Sequence, residues 1–159
     1  MVPSSFIENI LQKHKSSEKF PPTSMVSNFT TQLLLVLFPE QCKNRWQEYH
    51  ELETKFSVLC KELTAILDTF SDRLDIDVVE TSQKFWEEIP EVYRLLLTDV
   101  KAIMDGDPAA TSEYEVIRAY PGFYAIFFYR VAHTLYKLNI PVVPRIITEY
   151  AHSKTGIDI

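Results

Sequence analysis

A carboxylate held on a short turn can cap the backbone or face a ligand, and Asp107 is placed for either role. It lies in Asp105-Gly106-Asp107-Pro108-Ala109-Ala110, where Pro108 fixes its own φ and keeps the preceding residue out of the helical region. From the residues alone both readings stay open. In one, the side chain caps the next turn; in the other, it is a carboxylate offered to a partner. Asp105 competes two residues earlier, but no Pro-Ala follows it, and it reads as a solvated acid. His133 follows Arg130 in Tyr129-Arg130-Val131-Ala132-His133 and is the histidine that invites a role as general base. Its plainer reading is a hydrogen-bonded interior or flank histidine. His152 falls near a helix C-terminus, where it favours the dipole. His14 and His50 fall on polar helix sides. No Cys-x-x-Cys, His-Glu-x-x-His or acidic loop with metal-ligand spacing occurs, so no metal site is expected. Gly-x-Ser-x-Gly and phosphate-loop patterns are absent as well.

The elements that must position these groups are helical nearly throughout, and only three glycines interrupt them. Ser4 or Ser5 can cap a first helix with Phe6, Ile7, Ile10 and Leu11 on one face, ended by Pro21-Pro22. A second runs from Thr23 or Ser24 to Pro39. A third is expected from about Gln41 to Phe70, where Cys42, Trp46, Tyr49, Phe56, Cys60, Leu63, Leu67 and Phe70 recur in steps of four and three. Leu52, Leu59 and Ile66 widen that stripe beyond a coiled-coil seam, so it reads as a bundle helix and its aromatics as core. Asp77 starts a fourth helix, and Pro90 suits the first turn of a fifth ending at Met104. Gly106, in a left-handed conformation, and Pro108 stop that fifth helix. Ser112 and Glu115 form a capping box for a short sixth. A seventh follows Tyr120-Pro121-Gly122 and ends near Asn139. An eighth covers about Val142 to Ser153 and is closed by Gly156. Ile157-Asp158-Ile159 alternates like the beginning of a strand.

Composition narrows the function. The chain has 159 residues, 16 basic against 22 acidic side chains and a formal charge of −6. Without a Lys/Arg cluster, neither nucleic acid nor an anionic membrane is an expected partner. The acidic Glu87-Glu88 and Glu91 face reads as solvated surface. No apolar run approaches the length of a membrane span, and Met1-Val2-Pro3-Ser4-Ser5 has no signal-peptide character. Cys42 and Cys60, placed on one helix, would lie about 27 Å apart, too far to bridge. A reduced, cytoplasmic setting is expected, which makes the Asn28-Phe29-Thr30 sequon a chance match.

The ordered set Asp105–Ala110, Tyr120-Pro121-Gly122-Phe123, Tyr129–His133 and Thr155-Gly156-Ile157-Asp158-Ile159 resembles the bacterial serine O-acetyltransferases. The resemblance covers roughly residues 98–159, and order and spacing together make it more specific than any one motif. Residues 1–97 share only helicity and acidity with that family. The resemblance implies an all-α N-terminal domain over residues 1–154, an irregular bundle of about eight helices. Residues 155–159 would then be a stub leading to a left-handed β-helix of hexapeptide repeats that these residues do not include. The parent activity would be acetyl transfer from acetyl-CoA to the hydroxyl of L-serine, ahead of cysteine synthesis. Within it Asp107 would be the catalytic and substrate-binding residue, pairing with the serine ammonium. The catalytic histidine and most of the acetyl-CoA site would lie in the β-helix, leaving no cofactor bound by this chain and no turnover from it alone.

Further implications concern partners. Members of the family form trimers, often paired into hexamers through the helical domain, and a C-terminal tail docks in O-acetylserine sulfhydrylase. Ile159 falls inside the interior Gly-Ile-Asp-Ile motif, so it is not read as that tail. The Arg130-x-x-His133 segment is expected to tie helices together. A competing reading is a stand-alone, non-catalytic helical module for assembly or regulation. Another keeps acyl transfer but changes the acceptor to a related hydroxy amino acid.

Overall fold

Apolar residues spaced three and four apart cannot all leave water unless their helices share faces, and the described residues solve this with seven α-helices. The computed structural model describes residues 1–17, 19–43, 45–71 and 74–159. The helices are α1 (Ser4–Ser16), α2 (Thr23–Leu37), α3 (Tyr49–Asp68), α4 (Val78–Gly106), α5 (Glu113–Ala119), α6 (Pro121–Lys137) and α7 (Val143–Thr155), with a 3-10 turn over Pro39–Gln41 after α2. No strand occurs among the described residues. The fold is all-α, as expected above.

Helices α6 and α7 form an antiparallel hairpin; α4 lies against α3, α5 and α6, and α2 packs on α3, α6 and α7. The core is unusually aromatic. Phe38 meets Tyr93, Phe123 and Phe127 with ring centroids 5.3, 5.0 and 6.2 Å away, which joins the end of α2 to α4 and α6. Phe29 of α2 meets Phe85 and Trp86 of α4 at 6.0 and 6.4 Å. Each fully buried phenylalanine contributes about 1.5–3 kcal/mol through burial alone, so these contacts set the helix order.

Several boundaries differ from the sequence-based expectations. The expected fourth and fifth helices are one, with Pro90 inside it. Phe85, Ile89, Val92, Leu96 and Val100 stay buried in phase across the proline, while Pro90 itself points outward. Packing of that continuous stripe outweighs the lost backbone bond on the solvated side. Helix α3 begins at Tyr49, not Gln41, behind a capping box built by Glu48 and Glu51. Its buried face is Leu59, Leu63, Ile66 and Leu67, whereas Tyr49 is 80% exposed. Gly106 ends α4 without a positive φ; the left-handed cap occurs only at Gly156, φ 72°, among the glycines. Helix α1 has Pro3 at its N-cap position and no side-chain cap. Its apolar face stays open, with Phe6, Ile7 and Leu11 at 55, 56 and 49% exposure. Cys42 precedes α3, so the one-helix spacing does not apply; both thiols are nevertheless free, and burial pushes both upward.

Candidate functional site

Helix α4 stops where Pro108 would have to continue it, and the chain reverses over Asp107–Ala110. The Asp107 amide donates to the Ile103 carbonyl at 2.9 Å, and its carbonyl accepts from the Ala110 amide at 3.0 Å. The side chain is held at both oxygens. Oδ1 accepts from the Ala109 amide at 2.9 Å, an Asx-type turn, and Oδ2 accepts from the Tyr120 hydroxyl at 3.0 Å. The carboxylate is half-buried. Both readings of Asp107 therefore meet in one geometry: the side chain caps its turn and still presents an oriented carboxylate. A carboxylate offers about four accepting positions, so one remains at each oxygen.

The loop after the turn is fixed independently. The Ser112 hydroxyl accepts from the Glu115 amide at 3.2 Å, starting α5. Glu115 completes only half of the expected capping box. Its Oε2 accepts from the amide of Thr111 at 2.9 Å and from the Thr111 hydroxyl, not from Ser112. Those two bonds favour the ionised form and hold the Glu115 carboxyl below its usual range. Tyr120 closes α5 through its amide bond to the Val116 carbonyl, 3.2 Å, and opens α6 ahead of Pro121. Burial, then the bond to Asp107, push the Tyr120 phenol upward, so it remains a donor at neutral pH.

Tyr120 also walls a pocket of about 290 Å3 whose cations are Arg118 and Lys154. Arg118 Nη1 donates to the Gln41 carbonyl at 3.3 Å, and the Gln41 side-chain amide donates to the Ile117 carbonyl. The 3-10 turn after α2 is thereby latched to α5. Lys154 lies over the Tyr150 ring, 5.3 Å from its centroid.

The other candidates separate from this site. Asp105 pairs with Lys101 at 3.0 Å on the surface, as a solvated acid does. His133 is exposed, not interior. It stacks between Tyr129 and Tyr136 at 5.6 and 6.2 Å, and ring contact takes the place of the expected hydrogen bond. These rings line an open groove of about 700 Å3 beside the α6–α7 turn. The groove's cations are already paired, Lys137 with Glu88 and Arg145 with Glu149. Arg130 does tie helices together, through Asp99 of α4. His152 Nδ1 lies 3.0 Å from the Asp158 carboxylate; His14 and His50 are exposed. Among the described residues no group of three or more metal-ligating side chains assembles, and no helix is long and apolar enough to cross a membrane. The residue that sequence reasoning missed is Tyr120. Thirteen positions and a whole helix separate it from Asp107, and no local period connects them.

Comparison with known proteins converges on one family. No family model matches the chain. Over 80 residues, half of this chain, it is 51% identical to the plasmid serine acetyltransferase of Synechococcus elongatus, a match that spans 25% of that relative. Over 67 residues it is 42% identical to the serine acetyltransferase of Bacillus subtilis, spanning 31% of it. The chain thus spans about a quarter to a third of the length of these curated relatives. Among solved structures, Entamoeba histolytica serine acetyltransferase 1 in its native form superposes with TM-score 0.69 at 26% identity, over 97% of this chain and 58% of that one. The same enzyme in complex with L-cysteine gives 0.70 at 23% identity, over 97% and 59%.

Proposed function

We propose that this chain is the N-terminal helical domain of a serine acetyltransferase and forms the amino-acid side of a site where acetyl-CoA acetylates L-serine. The observation that carries this reading is the two-point hold on Asp107. An oriented, half-buried carboxylate with one accepting position left on each oxygen suits an ammonium group. Anchoring the ammonium would bring the serine hydroxyl to a constant place, which is the positional part of catalysis. In the reaction the hydroxyl oxygen bonds to the thioester carbonyl carbon, the hydroxyl proton passes to a general base, and the C–S bond breaks to release CoA.

On this reading the base is a histidine outside residues 1–159, on a β-helix domain that also holds acetyl-CoA. Residues 155–159 lead toward it. The contacts of this chain's own histidines favour that division, since His133 is stacked and His152 faces Asp158. The 159-residue chain alone then binds neither substrate appreciably and does not turn over. The parent protein is a cytoplasmic enzyme of cysteine biosynthesis that assembles as a trimer or hexamer, with O-acetylserine sulfhydrylase as a further partner. The open apolar face of α1 is suited to a contact between helical domains.

The test is CoA release by the natural gene product. Its intact mass is expected to exceed that of the 159-residue chain. Asp107→Ala is expected to lower kcat/KM for L-serine by roughly 100-fold, the scale of one lost charged anchor. Turnover by residues 1–159 alone, abolished by Asp107→Ala, would overturn the division of labour.

A further inference from the structure

The bond from Tyr120 to Asp107 does something that the turn cannot do for itself. The Ala109 amide holds Oδ1 only, and rotation about the last side-chain bond of an aspartate is broad and roughly two-fold. A carboxylate fixed at one oxygen can swing the other, and its free accepting positions swing with it. Tyr120 removes that freedom, because its hydroxyl donates to Oδ2 at 3.0 Å. The hydroxyl is itself well anchored. Its residue is at once the C-cap of α5 and the N-cap of α6, with its amide bonded to the Val116 carbonyl and Pro121 restricting the backbone beside it. A phenol that stays protonated at neutral pH donates to one position of Oδ2 and leaves the other accepting position for a substrate ammonium.

We propose that Tyr120 is a positioning residue, whose hydroxyl fixes the second oxygen of Asp107 and so sets the direction from which the carboxylate accepts the substrate ammonium. This inference rests on the acetyl-transfer reading above. It makes a dyad of one residue on the α4–α5 turn and one at the α5–α6 junction.

Tyr120→Phe deletes the donor and keeps the ring. In the full-length enzyme it raises KM for L-serine roughly tenfold, as loss of one bond to a charged group would, while KM for acetyl-CoA and thermal midpoint stay in place. In the Asp107→Asn background the same change adds nothing, because the group it acts through has gone. An unaltered serine KM, or losses that simply add, overturns the inference. The contact is also read without turnover, by NMR titration of ring-labelled tyrosines in the 159-residue chain, with Tyr120→Phe assigning the signal. Asp107→Asn moves the Tyr120 titration to lower pH, since the negative charge opposing its ionisation is removed; an unmoved titration overturns the inference. A wild-type enzyme that releases no CoA from acetyl-CoA and L-serine overturns the activity and the substrate role with it, and the titration then separately decides whether the clamp exists.

Discussion

Arg130 on α6 grips Asp99 on α4 through two parallel hydrogen bonds, Nε to Oδ2 at 2.6 Å and Nη2 to Oδ1 at 2.8 Å. Only 23 and 19% of the two side chains remain exposed, so solvent screens the pair far less than the helix-surface pairs elsewhere. The bond to Asp99 holds the guanidinium in its charged form. Its place is consequential, because α4 delivers Asp107 and α6 begins beside Tyr120. Arg130→Lys keeps the charge but loses the planar fork. It is expected to cost about 1–2 kcal/mol in urea unfolding. An unchanged midpoint would mean that solvent has already replaced the pair.

Pro90 offers a test with the opposite sign. It stands inside α4 on the outer side, where it removes one helical bond while the buried stripe runs on. Pro90→Ala restores the donor and improves helix propensity, although it also frees the unfolded chain. The net expectation is a gain of about 1 kcal/mol in denaturant unfolding. A loss instead would show that the proline itself is needed to seat both halves of the stripe.

Tyr124 sets an alkaline limit. Burial first, then the neighbouring Tyr150, push its phenol from 10.0 up to about 12. A group whose folded pKa is raised contributes stability that is complete below its unfolded pKa and lost as pH climbs to the folded one. Stability should therefore fall between pH 10 and about 12. Tyr124→Phe should flatten that fall, as followed by circular dichroism across a pH series at fixed urea. An equal slope in the variant would assign the loss to other groups.

Gly156 closes α7 at φ 72°, and a Cβ built there would touch nothing within 4 Å. Space is not the constraint, so Gly156→Ala measures backbone strain alone. It should cost about 1 kcal/mol, and Gly156→Asn clearly less, since asparagine tolerates the left-handed region. Equal costs for the two would point to a lost contact in place of strain.

The helices were legible where the signal was local. Pro39 after α2, Asp77 before α4, Ser112 before α5 and Gly156 after α7 all act within one turn of their own residue, and each performs the end expected of it. Pro90 departs from expectation because the deciding term was not local, whereas α3 starts at a local Glu48–Glu51 capping box that the apolar spacing from Gln41 onward obscured. A buried stripe carried α4 through its proline, and Trp46 packs on the core from outside the helix.

The same division holds at the site. The Asp107 turn followed from Pro108 and the short reach of an aspartate side chain, both covalent or nearest-neighbour effects. The sequence by itself thus determined an all-helical chain with a carboxylate on a rigid turn, and carried the motif order shared with one enzyme family. Only the tertiary structure decided that Tyr120 closes on Asp107, that Arg130 finds Asp99, and that His133 turns outward onto tyrosines. Those pairings cross 13 and 31 positions or choose between helix faces, and they exist because packing of the aromatic core sets how α4 lies against α6 and so which polar groups can meet.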